Sequence, residues 1–234
     1  MQAIILCGGK GQRLGHLTSS NPKGMLEVNG VPFLQYQLNW LKKFGVKDII
    51  FACGYLYEEI KNYFGKEKDS LKISYSVENK PLGRAGAVKA AWKMLKPSRN
   101  FLVLNGDVYT EMNLKDAITF HENQNNCMAT ISIFPYNSPY GVVKFNELNQ
   151  IEQFEEKPLL PHWINGGIYV FEYNLENYFP ESGDLEDTVF PALAKEKLLY
   201  SYKSKEYWKS IETIKDLNEL SAYILNNNKI LNAV

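Results

Sequence analysis

Apolar positions in the first hundred residues of this chain fall into short unbroken runs separated by stretches of helical spacing. Ala3 to Cys7 and the run from Asp48 to Cys53 have strand length and little polar interruption, as buried strands do. Lys72 to Val77 alternates, and Phe101 to Leu104 is short and wholly apolar. Between them, Phe33 to Phe44 puts Phe33, Leu34, Leu38 and Leu41 at helical spacing and stops at Gly45, a usual helix-ending glycine. Leu56 to Phe64 predicts a short helix closed by Gly65. Gly86 to Leu95 predicts another that ends before Pro97.

Strand and helix therefore alternate to about residue 105, which predicts a parallel sheet with helices on both faces. The period then changes. Ala129 to Phe134, Gly141 to Phe145, Ile151 to Phe154 and Gly167 to Phe171 read as strands joined by turns. Leu185 to Lys197 and Ile214 to Leu225 read as helices. The expected fold is α/β, Rossmann-like, with a mostly parallel sheet flanked by helices and a small antiparallel part. One domain over 1–234 suits the length, with halves at 1–110 and 111–234. No repeat or long linker divides it, and the tail from Asn226 to Val234 is expected to fray.

Composition narrows the function. Apolar residues make 45% and charged residues 22% of 234 residues, which fits a globular chain. Lys plus Arg equals Asp plus Glu at 26 each, so net charge gives no case for nucleic acid or a membrane surface. No stretch approaches a membrane helix, and no leader peptide is expected at the N-terminus. Cys7, Cys53 and Cys127 are scattered and odd in number, as free thiols in a reducing compartment are. A cytoplasmic enzyme or binding protein is the expectation.

The candidate chemistry begins at LCGGKGQRLG, residues 6 to 15. Leu6 lies at the carboxyl end of the first strand and Gly8, Gly9 and Gly11 just past it, where an open parallel sheet binds ligands. Without Cβ atoms, glycine amides can approach a polyphosphate closely. Arg13 adds a planar fork for phosphate oxygens. The spacing is neither the dinucleotide fingerprint nor a Walker loop, and a bare turn explains it equally well. Lys23 lies close behind. Asp107 follows an apolar strand and a glycine, where a carboxylate could hold a magnesium ion against a triphosphate, although a turn or cap aspartate is the common alternative.

The stretch GGKGQRLGHLTSSNPKGMLEVNGVPFL resembles the signature of the sugar-1-phosphate nucleotidyltransferases (NDP-sugar pyrophosphorylases). Further motifs match in order: Pro81-Leu-Gly-Arg-Ala-Gly86, Leu104-Asn-Gly-Asp107, Tyr140-Gly-Val-Val143, Glu155-Glu-Lys-Pro158, Ile164-Asn-Gly-Gly-Ile-Tyr169 and Leu185 to Pro191. The resemblance runs to about residue 220. It implies a GT-A-like nucleotidyltransferase fold and attack of a sugar 1-phosphate on the α-phosphorus of a nucleoside triphosphate. It implies that residues 1–110 bind nucleotide and 111–234 bind sugar. Arg13 would hold the leaving pyrophosphate, Lys23 the α-phosphate and Asp107 a Mg²⁺ ion. Glu78, Pro81 and Gly83 would meet the base and ribose. Gly141, Glu156, Lys157, Asn165 and Gly166 would meet the sugar and its phosphate.

Departures from the family pattern matter. The family's second metal-binding aspartate falls at Ser210 here. A variant resembling the cytidylyltransferase branch carries its carboxylate two places later, which makes Glu212 the expected second ligand. Glutamate's extra methylene leaves another divalent metal open. Gln12 replaces threonine, Gly24 replaces a proline and is expected to loosen the loop bearing Lys23, and Arg84 adds a cation beside the nucleotide. A chain of this length leaves no room for the C-terminal β-helix of some relatives. It resembles short heptose- and mannose-1-phosphate guanylyltransferases, so GTP with a mannose- or D-glycero-D-manno-heptose-type 1-phosphate is the leading expectation, with a possible homodimer. Cytidylyl or uridylyl transfer to another phosphate acceptor is the alternative. The loss at Ser210 also keeps a non-catalytic nucleotide-sugar-binding relative open.

Overall fold

The computed structural model describes residues 1–227; of the tail expected to fray, Asn226 ends the last helix and Asn227 caps it, and residues 228–234 lie outside the described residues. The first half runs β1 (Gln2–Leu6), a hairpin of β2 (Glu27–Val28) and β3 (Val31–Pro32), α1 (Phe33–Lys43), β4 (Asp48–Cys53), α2 (Tyr57–Phe64), β5 (Glu67–Lys68), β6 (Leu71–Val77), α3 (Gly83–Trp92) and β7 (Asn100–Asn105). The second half runs β8 (Val108–Thr110), α4 (Leu114–Glu122), β9 (Ala129–Asn137), β10 (Val142–Phe145), β11 (Ile151–Glu155), β12 (Leu159–Glu172), α5 (Val189–Lys195), β13 (Leu199–Lys203), β14 (Trp208–Ser210) and α6 (Ile214–Asn226).

Eight strands form one sheet in the order β13-β9-β12-β7-β1-β4-β6-β5. β7, β1, β4 and β6 are mutually parallel. β12 enters antiparallel between β7 and β9, which restores the original direction in β9 and β13. Alternate residues of a buried strand face opposite sides. Ala3 and Ile5 accordingly join a core with Leu34, Leu38, Ile60 and Ala117 of α1, α2 and α4. Ile4 joins another with Val88 and Trp92 of α3 and Leu193 of α5. Helices thus cover both faces, as the apolar runs imply. A third cluster seats Leu220 and Ile224 of α6 on Val28, Phe33 and Tyr36.

The expected bounds of α1 and β4 agree closely with the structure; α4, β13 and the short strands β2, β3, β5, β8 and β14 were not expected, and three of the expected segments differ markedly in their bounds. β12 has 14 residues, reaching back to Leu159 rather than starting at Gly167. Pro161 hides this in the sequence, and it sits where the register with β9 breaks between Leu160 and Trp163, a place that tolerates a missing amide donor. α3 starts at Gly83, three positions early. Its first amides are capped from afar: Asp184 Oδ1 accepts from Arg84 N at 3.0 Å and the Gly183 carbonyl from Ala85 N at 2.9 Å. α5 covers only Val189–Lys195 of the expected helix from Leu185 to Lys197, because residues 184–188 form a turn closed by Thr188 Oγ1 donating to the Asp184 carbonyl.

Candidate active site

The chain leaves β1 toward β4 and β6, then crosses by α3 to β7 on β1's other side. That reversal opens a crevice at the carboxyl ends of β1 and β7, where ligands of open α/β sheets bind. A cleft of about 930 Å³ lies there. Leu6, Gly8, Gly9 and Gly11 line it from β1; Glu78, Pro81 and Gly83 line it from the segment entering α3. Asp107 enters from the turn after β7. Every expected nucleotide-side residue faces this one cleft, together with Arg13, Lys23 and Glu212.

Four charged residues from four segments meet within it. Lys23 Nζ donates to Asp107 Oδ2 at 2.6 Å and lies 3.6 Å from Glu212 Oε2. Arg13 Nη1 lies 3.1 Å from the same Glu212 oxygen. Lys23 and Asp107 are mostly buried, at 16% and 24% side-chain exposure, whereas Arg13 is 75% exposed. Two carboxylates thus converge on one ammonium. Ser210 Oγ touches Glu212 Oε1 only at 3.5 Å, so Glu212 supplies the carboxylate on this side.

The backbone that carries these groups is firmly held. Gln37 of α1 is buried, and its Nε2 donates to the carbonyls of Asn105 at 2.8 Å and Val108 at 2.7 Å. It ties down both sides of the turn that presents Asp107. A polar residue on an otherwise apolar helix face was the sequence signal for this role. β14 pairs β8 with Ser210 opposite Val108, and the Ile211 amide donates to the Asp107 carbonyl at 2.9 Å. That pairing delivers Glu212 to Asp107. Gly24 does not loosen its loop, contrary to expectation: it is buried in a 3₁₀ turn, and a Cβ there would stand 2.6 Å from Leu34 Cγ. The glycine lets α1 pack directly under Lys23.

On the wall of the cleft where the nucleotide contacts are expected, Glu78 Oε2 accepts from the Leu82 amide at 3.0 Å, and its other oxygen lies against Gly8. It fastens the segment at Pro81 to the glycine loop. Gly83 has φ +72°, and a Cβ would meet the Gly183 carbonyl oxygen at 2.4 Å, so a side chain is excluded. Arg84 pairs with Asp184 at 3.2 Å and Glu186 at 2.9 Å. The Arg84 amide, and then its guanidinium, hold the Asp184 carboxyl below its ordinary value against the opposing effect of burial.

The expected sugar-side residues form a separate group outside the cleft lining. Asn165 and Gly166 lie on β12 where it overhangs the carboxyl edge of β7. Asn165 Oδ1 accepts from Gly167 N at 2.9 Å, its Nδ2 donates to Tyr169 Oη at 3.0 Å, and Trp208 Nε1 donates to the Gly166 carbonyl. Gly167 in turn packs on Asn105, whose Oδ1 is buried without a hydrogen-bond partner among the described residues. Asn105 lines the cleft and joins the two groups; its place two residues before Asp107 was the available signal. Gly141, Glu156 and Lys157 sit at the base of the β10–β11 hairpin. A Cβ on Gly141 would touch Phe154 and Glu156, and Glu156 and Lys157 form an exposed pair at 3.8 Å.

Among the described residues, no cluster of three or more His, Cys, Asp or Glu gathers for a metal, the three cysteines are unpaired, and no helix is long and apolar enough to cross a membrane.

Comparison with known proteins gives a concordant result. The nucleotidyl transferase family model matches residues 2–227. A D-glycero-α-D-manno-heptose 1-phosphate guanylyltransferase of Campylobacter jejuni is 40% identical over 180 residues, covering 76% of this chain and 79% of that protein. A mannose-1-phosphate guanyltransferase of Schizosaccharomyces pombe is 36% identical over 92% of this chain, which spans 62% of that protein's length. Among solved structures, HddC from Yersinia pseudotuberculosis superposes with a TM-score of 0.76 at 26% identity, covering 95% of this chain and 99% of that one. The same protein has been solved complexed with GMP-PN. The chain belongs to the nucleotidyl transferase family.

Proposed function

We propose that this chain transfers a guanylyl group from GTP to a mannose- or manno-heptose-type sugar 1-phosphate, releasing pyrophosphate. The observation that carries the reading is the convergence of Arg13, Lys23, Asp107 and Glu212 at the sheet's switch point. The guanylyltransferase names of its relatives support the choice of base and sugar, and the complex of HddC with GMP-PN supports the base.

A phosphate oxygen of the sugar 1-phosphate attacks the α-phosphorus. The new O–P bond forms as the bond to the β-phosphate oxygen breaks, and the electron pair leaves with pyrophosphate. Such a transfer needs in-line positioning and cations where charge collects, more than covalent help. Lys23 neutralises the α-phosphate and Arg13 the departing pyrophosphate. The glycine loop packs closely beneath the phosphates, while Glu78 and Gly83 frame the base. Glu156, Lys157, Asn165 and the bare backbone at Gly141 and Gly166 orient the sugar phosphate.

The donor set fits a hard divalent ion. Asp107 and Glu212 are both oxygen donors aimed at one point, now neutralised by Lys23. Magnesium is commonly held by one or two carboxylates, with substrate phosphates and water completing its shell. When bound, Mg²⁺ or a similar ion draws negative charge from the triphosphate oxygens. The working partners are the two substrates and a second copy of the chain. The unpaired cysteines support a reducing compartment such as the cytoplasm.

The test is pyrophosphate release with Mg²⁺ across four nucleoside triphosphates and a panel of sugar 1-phosphates. Release with GTP and a manno-configured acceptor is expected. Release only with CTP or UTP would transfer the reading to the other bases. Silence throughout, with nucleotide-sugar binding by calorimetry, would favour a non-catalytic relative.

A further inference from the structure

The β10–β11 hairpin leaves the main sheet as a separate two-stranded ribbon. Its register pairs Val143 with Phe154 and Phe145 with Ile151, so these four share one face. Val142, Lys144, Gln153 and Glu155 fall on the other. The ribbon is amphipathic, yet among the described residues its apolar face is left open: Val143 is 41% exposed, Phe145 63%, Ile151 64% and Phe154 63%. Leu148 at the tip is 78% exposed. Isolated two-stranded hairpins are marginal in water, and a wholly apolar face left open adds to that cost.

The hairpin is nonetheless built as a defined object. Asn146 Oδ1 accepts from the amides of Leu148 and Gln150, both at 3.0 Å, and the Asn146 amide donates to the Gln150 carbonyl. Asn149 takes the left-handed conformation that closes the turn. At its base, Phe154 packs on the bare Cα of Gly141. A shaped, exposed apolar face of this kind marks a protein interface.

We infer that this face is the self-association surface of the chain, packed on the same face of a second copy about a two-fold axis. Area and charge select that occupant. With aromatic side chains offering about 150–250 Å² each, Val143, Phe145, Leu148, Ile151 and Phe154 at these exposures present roughly 600 Å². Two copies would bury about 1,200 Å², the lower edge of specific interfaces. The face carries no charge, so contact between identical patches costs no repulsion. The chain as a whole is neutral at 26 against 26, so no net field keeps copies apart.

Pairing would also brace the ribbon whose base presents Gly141, Glu156 and Lys157. That consequence, unlike the pairing itself, rests on the sugar-side roles proposed above. The test is the sedimenting mass of the full chain by analytical ultracentrifugation at micromolar concentration. Wild type is expected at twice the 26.9 kDa chain mass. The double variant Phe145→Glu/Ile151→Glu should halve it, while Lys144→Ala/Gln153→Ala on the opposite face should leave it unchanged. Far-UV circular dichroism and GTP binding verify that both variants remain folded. A monomeric wild type, as would follow if the ribbon folded over its own cleft or waited for an unlike protein, overturns the inference. So does a dimer that survives the charged variant. Loss of pyrophosphate release with the dimer intact would count against the catalytic reading alone.

Discussion

Replacing Lys23 with methionine should strengthen metal binding in the absence of nucleotide. Lys23 Nζ bonds Asp107 at 2.6 Å and sits 3.6 Å from Glu212, so any divalent ion using both carboxylates must displace it. The gross attraction at 2.6 Å is about 6 kcal/mol for an effective dielectric of about 20, but most of that is returned when the charges are resolvated. The net worth of a charge-assisted hydrogen bond, about 1.5–3 kcal/mol, is the better guide. With every 1.4 kcal/mol worth tenfold, Lys23→Met should tighten Mn²⁺ binding by roughly 10- to 100-fold. Electron paramagnetic resonance of free Mn²⁺ against protein concentration reads this directly, without turnover. Adding GTP should bring the two proteins' metal affinities together, because the phosphates draw Lys23 off the carboxylates. Equal affinities in wild type and variant without GTP would refute the competition, and an Asp107→Asn control shows whether any ion bound is at this site.

Three further outcomes are expected. Arg13→Ala and Asp107→Ala should each lower kcat/KM for pyrophosphate release about 10²-fold or more, with unchanged thermal unfolding; near-normal activity of Asp107→Ala in Mg²⁺ would remove its assigned role. Glu212→Gln should weaken Mg²⁺-dependent turnover by about an order of magnitude while Ser210→Ala stays nearly silent, and the reverse pattern would mean that Ser210 carries the site. His121, buried beside Thr130 and Cys127, is pushed down to about 4 by burial, with Arg99 adding to the effect. Its folded pKa lies below the unfolded value of 6.5, so the unfolded chain binds the proton first. Stability should therefore fall as pH drops from 6.5 toward 4 and level off below, by at most about 3 kcal/mol. Glu172, held above its ordinary value by burial, partly offsets this. Urea midpoints for wild type and His121→Gln across that window measure the difference; parallel curves would exclude His121 as the cause.

What the sequence revealed, and what it hid, divides by the range of the forces involved. α1 and β4 are written in local periodicity, and the packing of Leu34, Leu38 and Leu41 follows from it. Arg13 and Asp107 were legible because each stands just past a strand or glycine turn, whereas Lys23, which alone reads as a loop lysine, was marked by the family motif. Glu212 was reachable only through family register, since nothing local marks it, and it comes to Lys23 through a three-residue pairing of β14 with β8. Segments so short carry no periodicity. The true start of α3 was hidden for the same reason, its caps lying 100 residues away at Asp184. Gly24 was misread because the side chain that needs its space, Leu34, is ten positions on and visible only in three dimensions.

β12 has one more implication. Its last five residues hydrogen-bond with β7 in the middle of the sheet, while its first residues run out with the end of β9 beyond the sheet's edge. The wall bearing Asn165 is thus a cantilever, clamped at its inner end beside the strand that leads to Asp107. A beam of continuous backbone fixes a span. With the acceptor held at Asn165 as proposed above, its separation from the α-phosphorus would be set by construction rather than by a hinge. Acceptors of different length would be accommodated by reshaping the free end of the beam, leaving the reacting centre undisturbed.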